Sequence, residues 1–211
     1  ITVSDLKSKP YIDMTLDVLR HFGKPIKHDN YCGFHIDPAL FTQKDDVEIT
    51  VESDWSSAAY LLVAGAIAGN VTVRGLNSMS VQADRAILDV INMAGATVTI
   101  KEDEVSVQKS ELQAFEFDAT DCPDLFPILA ILAACCEGES YIKGVHRLYH
   151  KESNRAESIT EMLMNFDVPF SVEDDSLCIN GVVELQGTVI ESFNDHRIVM
   201  AAAVGALRAG S

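Results

Sequence analysis

The sequence feature that most limits the fold of this chain is an internal repeat with a period of 72 residues. Three segments share one order of predicted elements: an amphipathic helix, a short turn, a strand, an acidic turn and a second strand. These segments are residues 11–37, 81–108 and 155–180. Their helices are predicted to end at Phe22, Ala94 and Phe166, each after apolar residues at i, i+3, i+4 and i+7. The repeat therefore predicts stacked copies of one helix-and-strand unit.

A second set of predicted helices alternates with the first and is apolar on nearly every face. They cover residues 56–68, 125–136 and 197–209, and a glycine follows each helix. Because a helix that is apolar all round is buried all round, we expect these three helices to form the core. Strands are predicted before them at residues 47–51, 115–117 and 189–191, and after the first two at residues 71–73 and 141–143.

These elements combine into a β-α-β-α-β-β unit, so the predicted fold class is α/β (α+β). The chain holds two complete units, the second half of an earlier unit and the first half of a later one. Residues 38–46 are polar, include a proline and have no clear period, which is typical of a linker. We therefore expect residues 1–45 to end one repeat domain and residues 46–211 to form most of another. Since the chain begins at Ile1 and shows no basic-then-apolar leader, we expect a piece of a longer protein.

The composition excludes several classes of partner. With 16 Lys and Arg against 32 Asp and Glu, the net charge is −16, which argues against nucleic acids and anionic membrane surfaces. The 47% hydrophobic content is that of a globular protein, and we expect the acidic residues to occupy turns and outer faces. Five cysteines without a CxxC pair predict reduced core thiols in a soluble cytoplasmic protein.

The densest polar cluster runs from His150 to Arg155 and is predicted to open an amphipathic helix. On that helix Lys151 and Arg155 would share a face, and Glu152 would lie near Arg155. Two cations in a first helical turn are unfavourable unless an anion binds there. The alternative is a solvated helix start with an ordinary Glu152–Arg155 pair.

A second polar cluster, Asn194 to Arg197, opens the last apolar helix. Asn194 or Asp195 is a suitable cap, and Arg197 at the mouth of a buried helix suggests a bound anion. The alternative is a capping Asp195 paired with Arg197. We expect no metal site at His196, because no second ligand has the required spacing.

Two further helix starts carry polar residues. Asp124 follows Pro123 in front of an apolar helix, where a carboxyl is either a cap or, if burial raises its pKa, a general base. Ser8 and Tyr11 flank Pro10 and offer donors to a phosphate, although a proline at a helix start is also ordinary structure.

Together the motifs resemble the enolpyruvyl transferase family, and within it the members that act on 3-phosphoshikimate. The resemblance covers the whole chain and rests on Ser8-Lys9-Pro10-Tyr11-Ile12-Asp13, Asp121-x-Pro-Asp124, Lys151-Glu152-x-x-Arg155 and Asn194-Asp195-His196-Arg197. Any one motif is weak, but four in order within a matching repeat are specific. The sister UDP-N-acetylglucosamine enolpyruvyl transferases lack the Lys-Glu-x-x-Arg pattern.

The resemblance implies two domains of three βαβαββ units each, an inside-out α/β barrel (α-β prism) that is incomplete here, with the site between the domains. It implies transfer of the enolpyruvyl group from phosphoenolpyruvate to the 5-hydroxyl of 3-phosphoshikimate, with release of phosphate, in the shikimate pathway. It further implies no metal or organic cofactor, inhibition by glyphosate, and a monomeric full-length enzyme.

The resemblance also implies residue roles. Asp124, Lys151 and Glu152 would be catalytic, as proton acceptor, proton shuttle and proton donor to the methylene carbon of phosphoenolpyruvate. 3-Phosphoshikimate would be bound by Ser8, Tyr11, Asp124, Arg147 and Lys151. Phosphoenolpyruvate would be bound by Arg155 and Arg197, with Asp195 and His196 in support.

The chain departs from the family pattern at two positions, Asn154 in place of Asp and Arg147 in place of Asn. It also lacks the family's Asn-Ala-Gly-Thr loop, its Ser-Ser-Gln phosphate site and its terminal lysines, so we expect no turnover from this chain alone. Two alternatives remain, a UDP-N-acetylglucosamine enolpyruvyl transferase and a non-catalytic repeat module. In such a module the charged side chains of these motifs would lie more than about 15 Å apart, beyond the reach of one small ligand.

Overall fold

The computed structural model describes residues 1–44 and 46–210. The helices in these ranges are α1 (Lys9–His21), α2 (Trp55–Ala68), α3 (Ile87–Met93), α4 (Phe126–Ala134), α5 (Arg155–Asn165) and α6 (His196–Gly205). The strands are β1 (Lys27–Asp29), β2 (Gly33–His35), β3 (Asn70–Arg74), β4 (Thr97–Ile100), β5 (Glu104–Gln108), β6 (Glu116–Asp118), β7 (Glu139–Lys143), β8 (Phe170–Glu173) and β9 (Ser176–Asn180). Short 3-10 turns lie at Pro38–Leu40, Ala83–Ala86, Pro123–Leu125, Val145–Arg147 and Ala206–Arg208.

The strands form a hairpin and two small sheets that follow the repeat. β1 pairs with β2, and β3, β5 and β4 form an antiparallel sheet in that order. The largest sheet has the order β6-β7-β9-β8, in which β6 and β7 are parallel and the other pairs are antiparallel. Since α4 connects the parallel pair and α5 connects β7 to β8, this part of the chain has the predicted βαβαββ order.

The predicted helix ends are confirmed, because α1, α3 and α5 have their C-caps at Phe22, Ala94 and Phe166. The next residue is left-handed in each case, with φ of 74° at Gly23, 86° at Gly95 and 58° at Asp167. Each end also has the long backbone hydrogen bond of a Schellman motif: Lys24 to Leu19, Ala96 to Ile91 and Val168 to Leu163. The repeat thus extends to the geometry of its turns.

The prediction that α2, α4 and α6 form the core is confirmed, but burial on every face holds only for α4, since Leu61 of α2 is 53% exposed. These three helices pack against one another, and every residue of α4 is buried. Trp55, the first residue of α2, is also fully buried. In contrast, Val199 of α6 is 50% exposed, because no element among the described residues covers that side of the helix.

Two of the predicted strands are wrong. Residues 47–51 have no regular secondary structure, and Ile49 and Val51 are exposed. Instead of pairing with β3, this segment passes the end of α1, where the carbonyl of Glu48 lies 3.1 Å from His21 Nε2. Residues 189–191 also form no strand, and Val189 is solvent-exposed. Their sequence favours a strand, but they pair with no strand among the described residues and therefore form a loop. The strand predicted at 115–117 is observed one residue later, as β6.

Two expectations about residue types also need correction. Cys32 is exposed, so it is not a core thiol, whereas Cys122, Cys136 and Cys178 are buried as expected. Asp84 and Asp195 are buried, so the acidic residues are not confined to turns and outer faces. The side chain of each has a polar partner in the interior, which a sequence pattern does not reveal.

The predicted domain boundary falls at Asp45, and both Asp45 and Ser211 lie outside the described residues. The division into residues 1–45 and 46–211 therefore stays a prediction. The first segment contacts the rest of the chain through Ser8, whose backbone N–H donates to Asp121 Oδ1 at 2.8 Å. Across residues 1–44 and 46–210, none of the helices has the length and apolar character needed to cross a membrane.

The central position of α4 generates a stability prediction. We expect Leu129→Ala, at a fully buried position of α4, to lower the free energy of unfolding by about 2–5 kcal/mol, because it leaves a cavity. Leu61→Ala, the same change at a half-exposed position of α2, should cost about 0.5 kcal/mol or less. Urea unfolding followed by circular dichroism measures both, and equal losses would contradict this description of the core.

Candidate functional site

The guanidinium of Arg155 is the centre of the densest polar cluster in the structure. This side chain is fully buried, and its Nε donates to Asp195 Oδ2 at 2.8 Å. Its Nη1 donates to Asp124 Oδ1 at 2.7 Å, and its Nη2 donates to Glu152. A buried charge is costly unless it is paired and hydrogen-bonded, and here every nitrogen of the guanidinium has a carboxylate partner.

The starts of three helices bring these groups together. Asp124 lies in the 3-10 turn that leads into α4, and Arg155 is the first residue of α5. Asp195 caps α6 by accepting from the backbone N–H of Arg197 at 3.0 Å, as the sequence predicted. Since helix N-termini carry partial positive charge, their convergence favours negative charge at this place.

The segment before α5 differs from the prediction. The helix begins at Arg155 with Asn154 as its N-cap, so Lys151 and Glu152 lie in the preceding turn and share no helical face with Arg155. Lys151 Nζ still reaches Asp124 Oδ1, at 3.1 Å, because the turn folds back over the start of α4. The Glu152–Arg155 contact exists, but the alternative of a solvated pair is wrong, since Arg155 has no solvent exposure.

Arg197 differs from Arg155 in having donors that are not used. Its Nη2 donates to Asp124 Oδ2 at 3.2 Å and to Ser56 Oγ at 3.0 Å. Its Nε and Nη1 are buried and have no hydrogen-bond partner among the described residues. Leaving such donors unsatisfied costs free energy, and an anion would satisfy them. Asp195 caps α6 but pairs with the side chain of Arg155, not with that of Arg197.

A hydrogen bond between Ser8 and Arg147 joins residues 1–44 to the neighbourhood of the ion-paired cluster. Arg147 Nη2 donates to Ser8 Oγ at 2.8 Å, and Arg147 Nε is buried and without a partner in the described part of the chain. Ser8 has φ of 55°, a left-handed conformation that is uncommon for a residue other than glycine. Tyr11, one turn further along, donates its hydroxyl to the buried carboxyl of Asp84 or accepts from it.

The electrostatics of the cluster lower the pKa of both Asp124 and Asp195. Burial acts to raise the pKa of Asp124, but the charges of Arg197 and Lys151 outweigh it and hold that pKa below its usual value. For Asp195, burial is again outweighed, here by hydrogen bonds from Arg155 and the Arg197 backbone, so its pKa is also lowered. With a low pKa, Asp124 is a strong hydrogen-bond acceptor but a weak base in this arrangement.

The charged side chains of Asp124, Lys151, Glu152, Arg155 and Arg197 are thus linked by direct contacts, and the scatter expected of a non-catalytic module is not observed. His196 is less integrated, since its ring is exposed and its Nδ1 lies 4.0 Å from Asp195 Oδ1. The catalytic and binding roles of all these residues remain predictions. Residues 1–44 and 46–210 contain no group of three or more His, Cys, Asp and Glu residues that could hold a metal.

Sequence reasoning missed Ser56, Ser153 and Asp84. Ser56 and Ser153 bond Arg197 and Asp195 through their hydroxyls, at 3.0 and 3.1 Å, and Asp84 contacts Tyr11 from 73 residues away. A serine after a capping Asp, or an acid in a first turn, is ordinary at a helix start. Only their tertiary positions distinguish these residues.

Two of the cavities in the described part of the chain lie near α1 and the residues before it, outside the ion-paired cluster. One of about 650 Å³ separates α1 from residues 49–52, and none of the predicted site residues lines it. The other, of about 630 Å³, lies next to Ser8, and its lining includes Lys7, Lys9, Asp121, Lys143 and His146. The second cavity therefore provides solvent access beside the Ser8–Arg147 pair.

Comparison with known proteins identifies relatives of this chain. A family model described as EPSP synthase (3-phosphoshikimate 1-carboxyvinyltransferase) matches residues 1–211. The 3-phosphoshikimate 1-carboxyvinyltransferase of Clostridium novyi is 36% identical over 208 residues, which are 99% of this chain and 47% of that protein. The protein of the same name from Clostridium acetobutylicum is 39% identical over 206 residues, which are 97% of this chain and 47% of that one. The chain thus spans about half the length of the curated relatives it matches.

Solved structures show the same fold. A structure of EPSP synthase from Acinetobacter baumannii matches with a TM-score of 0.75 at 24% identity, over 92% of this chain and 47% of that one. The enolpyruvyl transferase NikO from Streptomyces tendae matches with a TM-score of 0.71 at 20% identity, over 99% of this chain and 48% of that one. The predicted mixed α/β (α+β) fold of the enolpyruvyl transferases is therefore confirmed, although among the described residues only 116–180 have the complete βαβαββ order.

The burial of Arg155 predicts a large effect of its removal. We expect Arg155→Met to lower the free energy of unfolding by about 3–5 kcal/mol, since it leaves Asp195 buried without its main partner. Arg74→Met removes an exposed ion pair with Glu104 and should cost about 1 kcal/mol or less. Denaturant unfolding of the two variants checks this, and similar small losses would show that the buried network contributes little.

The lowered pKa of Asp195 predicts how this contribution depends on pH. In the unfolded chain the carboxyl has its ordinary pKa of about 3.8, so its stabilisation is present above that pH and is lost as the pH falls through the lower folded pKa. The stability difference between the unaltered chain and Asp195→Asn should therefore shrink below about pH 4. Asp17→Asn, at an exposed ion pair on α1, is the control. A difference that grows on acidification would contradict the assignment.

Proposed function

The chain belongs to the EPSP synthase family, and from this membership we propose that it supplies the anion-binding half of a 5-enolpyruvylshikimate-3-phosphate synthase active site. The enzyme would transfer the enolpyruvyl group of phosphoenolpyruvate to the 5-hydroxyl of 3-phosphoshikimate and release phosphate. The observation that carries the proposal is Arg197, whose buried Nε and Nη1 have no partner beside the Asp124–Lys151–Arg155 network. A small anionic substrate with a phosphate and a carboxylate matches those donors.

In this proposal Arg197 provides the first contact with phosphoenolpyruvate. Arg155 has all three of its nitrogens engaged, so it would reach the substrate only by exchanging the half-exposed Glu152 for a substrate oxygen. The contact with Asp195 would stay in place, because that pair is buried on both sides. Arg155 would thus keep the starts of α4, α5 and α6 together and would bind phosphoenolpyruvate only through Nη2, the nitrogen that Glu152 releases.

3-Phosphoshikimate would lie between the first segment and the turn before α5. Ser8 and Arg147 face each other at 2.8 Å, and the unpartnered Nε of Arg147 offers a further donor to the phosphate group. Lys151, held on Asp124, adds a second positive charge to that of Arg147. Because Ser8 and Tyr11 precede residue 45 and the other groups follow it, the proposal also places the site at the junction of the two predicted domains.

The proton transfers would depend on Asp124, whose ion pairs with Arg197 and Lys151 would change when substrate binds. As the 5-hydroxyl oxygen bonds to C2 of phosphoenolpyruvate, its proton passes to Asp124, either directly or through Lys151, which gives one of its own protons to Asp124 as it takes up the new one. Protonated Glu152 delivers its proton to the methylene carbon. The bond from C2 to the phosphate oxygen then breaks, the proton on Asp124 leaves with the phosphate, and a methyl proton returns to Glu152, which gives the enol ether product. A substrate anion that draws Arg197 and Lys151 from Asp124 removes the charges that lower its pKa, which would make Asp124 a better base.

We also propose that the protein works in the cytoplasm.

The same anion site would accept glyphosate in competition with phosphoenolpyruvate. Support for glyphosate binding is chemical, since the buried donors of Arg197 would serve any small dianion of similar span. Partners of the sister transferases, such as UDP-N-acetylglucosamine, would not be recognised.

Binding and turnover test the proposal separately. We expect phosphoenolpyruvate to bind in the presence of 3-phosphoshikimate, and Arg197→Met to weaken binding at least about tenfold, because charged hydrogen bonds are lost. Arg20→Met, at an exposed ion pair of α1, should leave affinity unchanged. Isothermal titration calorimetry measures both variants. Equal affinities would contradict the assignment of Arg197, and a response to UDP-N-acetylglucosamine in place of 3-phosphoshikimate would favour the sister reaction.

Turnover should be absent from the 211-residue chain alone, because it spans about half the length of its relatives. A coupled phosphate-release assay checks this expectation. Rates like those of a full-length enzyme would show that the described cluster suffices for the whole reaction.

A further inference from the structure

The carboxyl of Asp84 is buried next to the proposed substrate site but does not belong to its ion-pair network. Asp84 lies in the 3-10 turn Ala83–Ala86 and is only 2% exposed. One of its oxygens, Oδ2, is hydrogen-bonded to the hydroxyl of Tyr11. The other, Oδ1, is buried and has no partner within residues 1–44 and 46–210. This carboxyl therefore lies in the interior with a single neutral partner.

The charged groups around Asp84 come from several elements and do not neutralise it. Asp124 before α4 and Asp54, the cap of α2, are acidic, and Arg197 of α6 is the nearby cation but directs its bonds to Asp124 and Ser56. Arg85, in the same turn as Asp84, donates to the carbonyl of Ser78. Cys122 and Tyr11 complete the titratable surroundings.

Burial and these neighbours favour the neutral acid. Burial raises the pKa of Asp84, the Tyr11 hydrogen bond opposes it, and Asp124 raises it again, which leaves it above the ordinary value. The pKa of the Tyr11 hydroxyl is also raised, by burial first and then by Asp84, so Tyr11 keeps its proton. An unpartnered buried Oδ1 agrees with this state, because a carbonyl oxygen without a partner is far less costly than a carboxylate oxygen.

We propose that Asp84 is a neutral acid that positions Tyr11, donating its proton to the phenolic oxygen so that the phenolic hydrogen points to an anionic oxygen of the phosphorylated substrate. This inference rests on the proposed function, because it takes Tyr11 as a contact of 3-phosphoshikimate. Asp84 itself would touch no substrate atom.

The phenolic hydroxyl of Tyr11 has a single hydrogen to donate. If Asp84 were ionised, Tyr11 would have to donate that hydrogen to the carboxylate, and only its oxygen lone pairs would face the substrate. A phosphate oxygen would be repelled by those lone pairs and by the charge of Asp84. If Asp84 is neutral, it fills the acceptor position of Tyr11 and leaves the hydrogen for the phosphate.

A dependence of affinity on pH follows. Affinity for 3-phosphoshikimate should be highest while Asp84 is protonated and should fall as the pH rises through the pKa of Asp84. Asp84→Asn retains a donor, its amide, toward Tyr11 and cannot ionise, so its affinity should match that of the unaltered chain at low pH and not show this fall. Tyr11→Phe should bind roughly 5- to 10-fold more weakly, the equivalent of one hydrogen bond.

Infrared spectroscopy of the ligand-free 211-residue chain tests the protonation state directly. In a pH titration we expect the carbonyl stretch of a protonated carboxyl to persist above the pH at which exposed acids ionise, with this band absent in Asp84→Asn and present in Asp89→Asn, which removes an exposed acid of α3. Tyr11→Phe keeps the carboxyl, so it should shift this band, and it provides the test if Asp84→Asn does not fold. A carboxyl that ionises together with the exposed acids would overturn the inference.

Calorimetric titration with 3-phosphoshikimate over a range of pH tests the positioning role. We expect Asp84→Asn to add no loss of affinity to Tyr11→Phe, because both act through one hydrogen bond. An unchanged pH dependence in Asp84→Asn would overturn the inference, and a purely structural role would lower stability without altering that dependence. Failure of the unaltered chain to bind 3-phosphoshikimate would contradict the proposed function as well, whereas normal binding with an ionised Asp84 contradicts the inference alone.

Discussion

The buried guanidinium of Arg155 is the interaction on which the site depends. A charge in the interior is tolerated only with close partners, and the partners of Arg155 come from the turn before α4, the turn before α5 and the cap of α6. These helix starts must therefore meet at one point for the charge to be satisfied. Their meeting also places Arg197 beside Asp124, where two of its nitrogens lack partners among the described residues.

This arrangement explains how a chain with a net charge of −16 provides a site for small anions. The acidic excess disfavours extended polyanions such as nucleic acids, which bind through broad basic surfaces. A small anion needs only a few oriented donors, and Arg147, Lys151, Arg155 and Arg197 lie near converging helix N-termini. The chain's own carboxylates, above all that of Asp124, occupy these cations in the absence of substrate.

Much of the fold followed from the sequence because the repeat is carried by local signals. Apolar periodicity and the residues after Phe22, Ala94 and Phe166 specify helices and left-handed turns without reference to distant parts of the chain. The segment at residues 47–51 did not follow, since its alternating pattern is the same with or without a partner strand. Strand pairing is a tertiary property, and so is the burial of α6.

The site shows the same division between local and tertiary information. The motifs identified Lys151, Arg155 and Arg197 because cations at helix starts are locally unfavourable, and Asp124 because an acid in front of a buried helix is a cap or a base. They did not identify Asp84, whose partner Tyr11 is 73 residues away, or the complete burial of Arg155. Nor did they show that Lys151 approaches from a turn and not from a helix.

A crystal structure of this chain with bound phosphoenolpyruvate would test most directly whether the ion-pair network forms an anion site. The account predicts substrate oxygens within hydrogen-bond distance of Arg197 Nε and Nη1, with the Arg155–Asp195 pair unchanged. A ligand bound elsewhere, with Arg197 still held on Asp124 and Ser56, would contradict it.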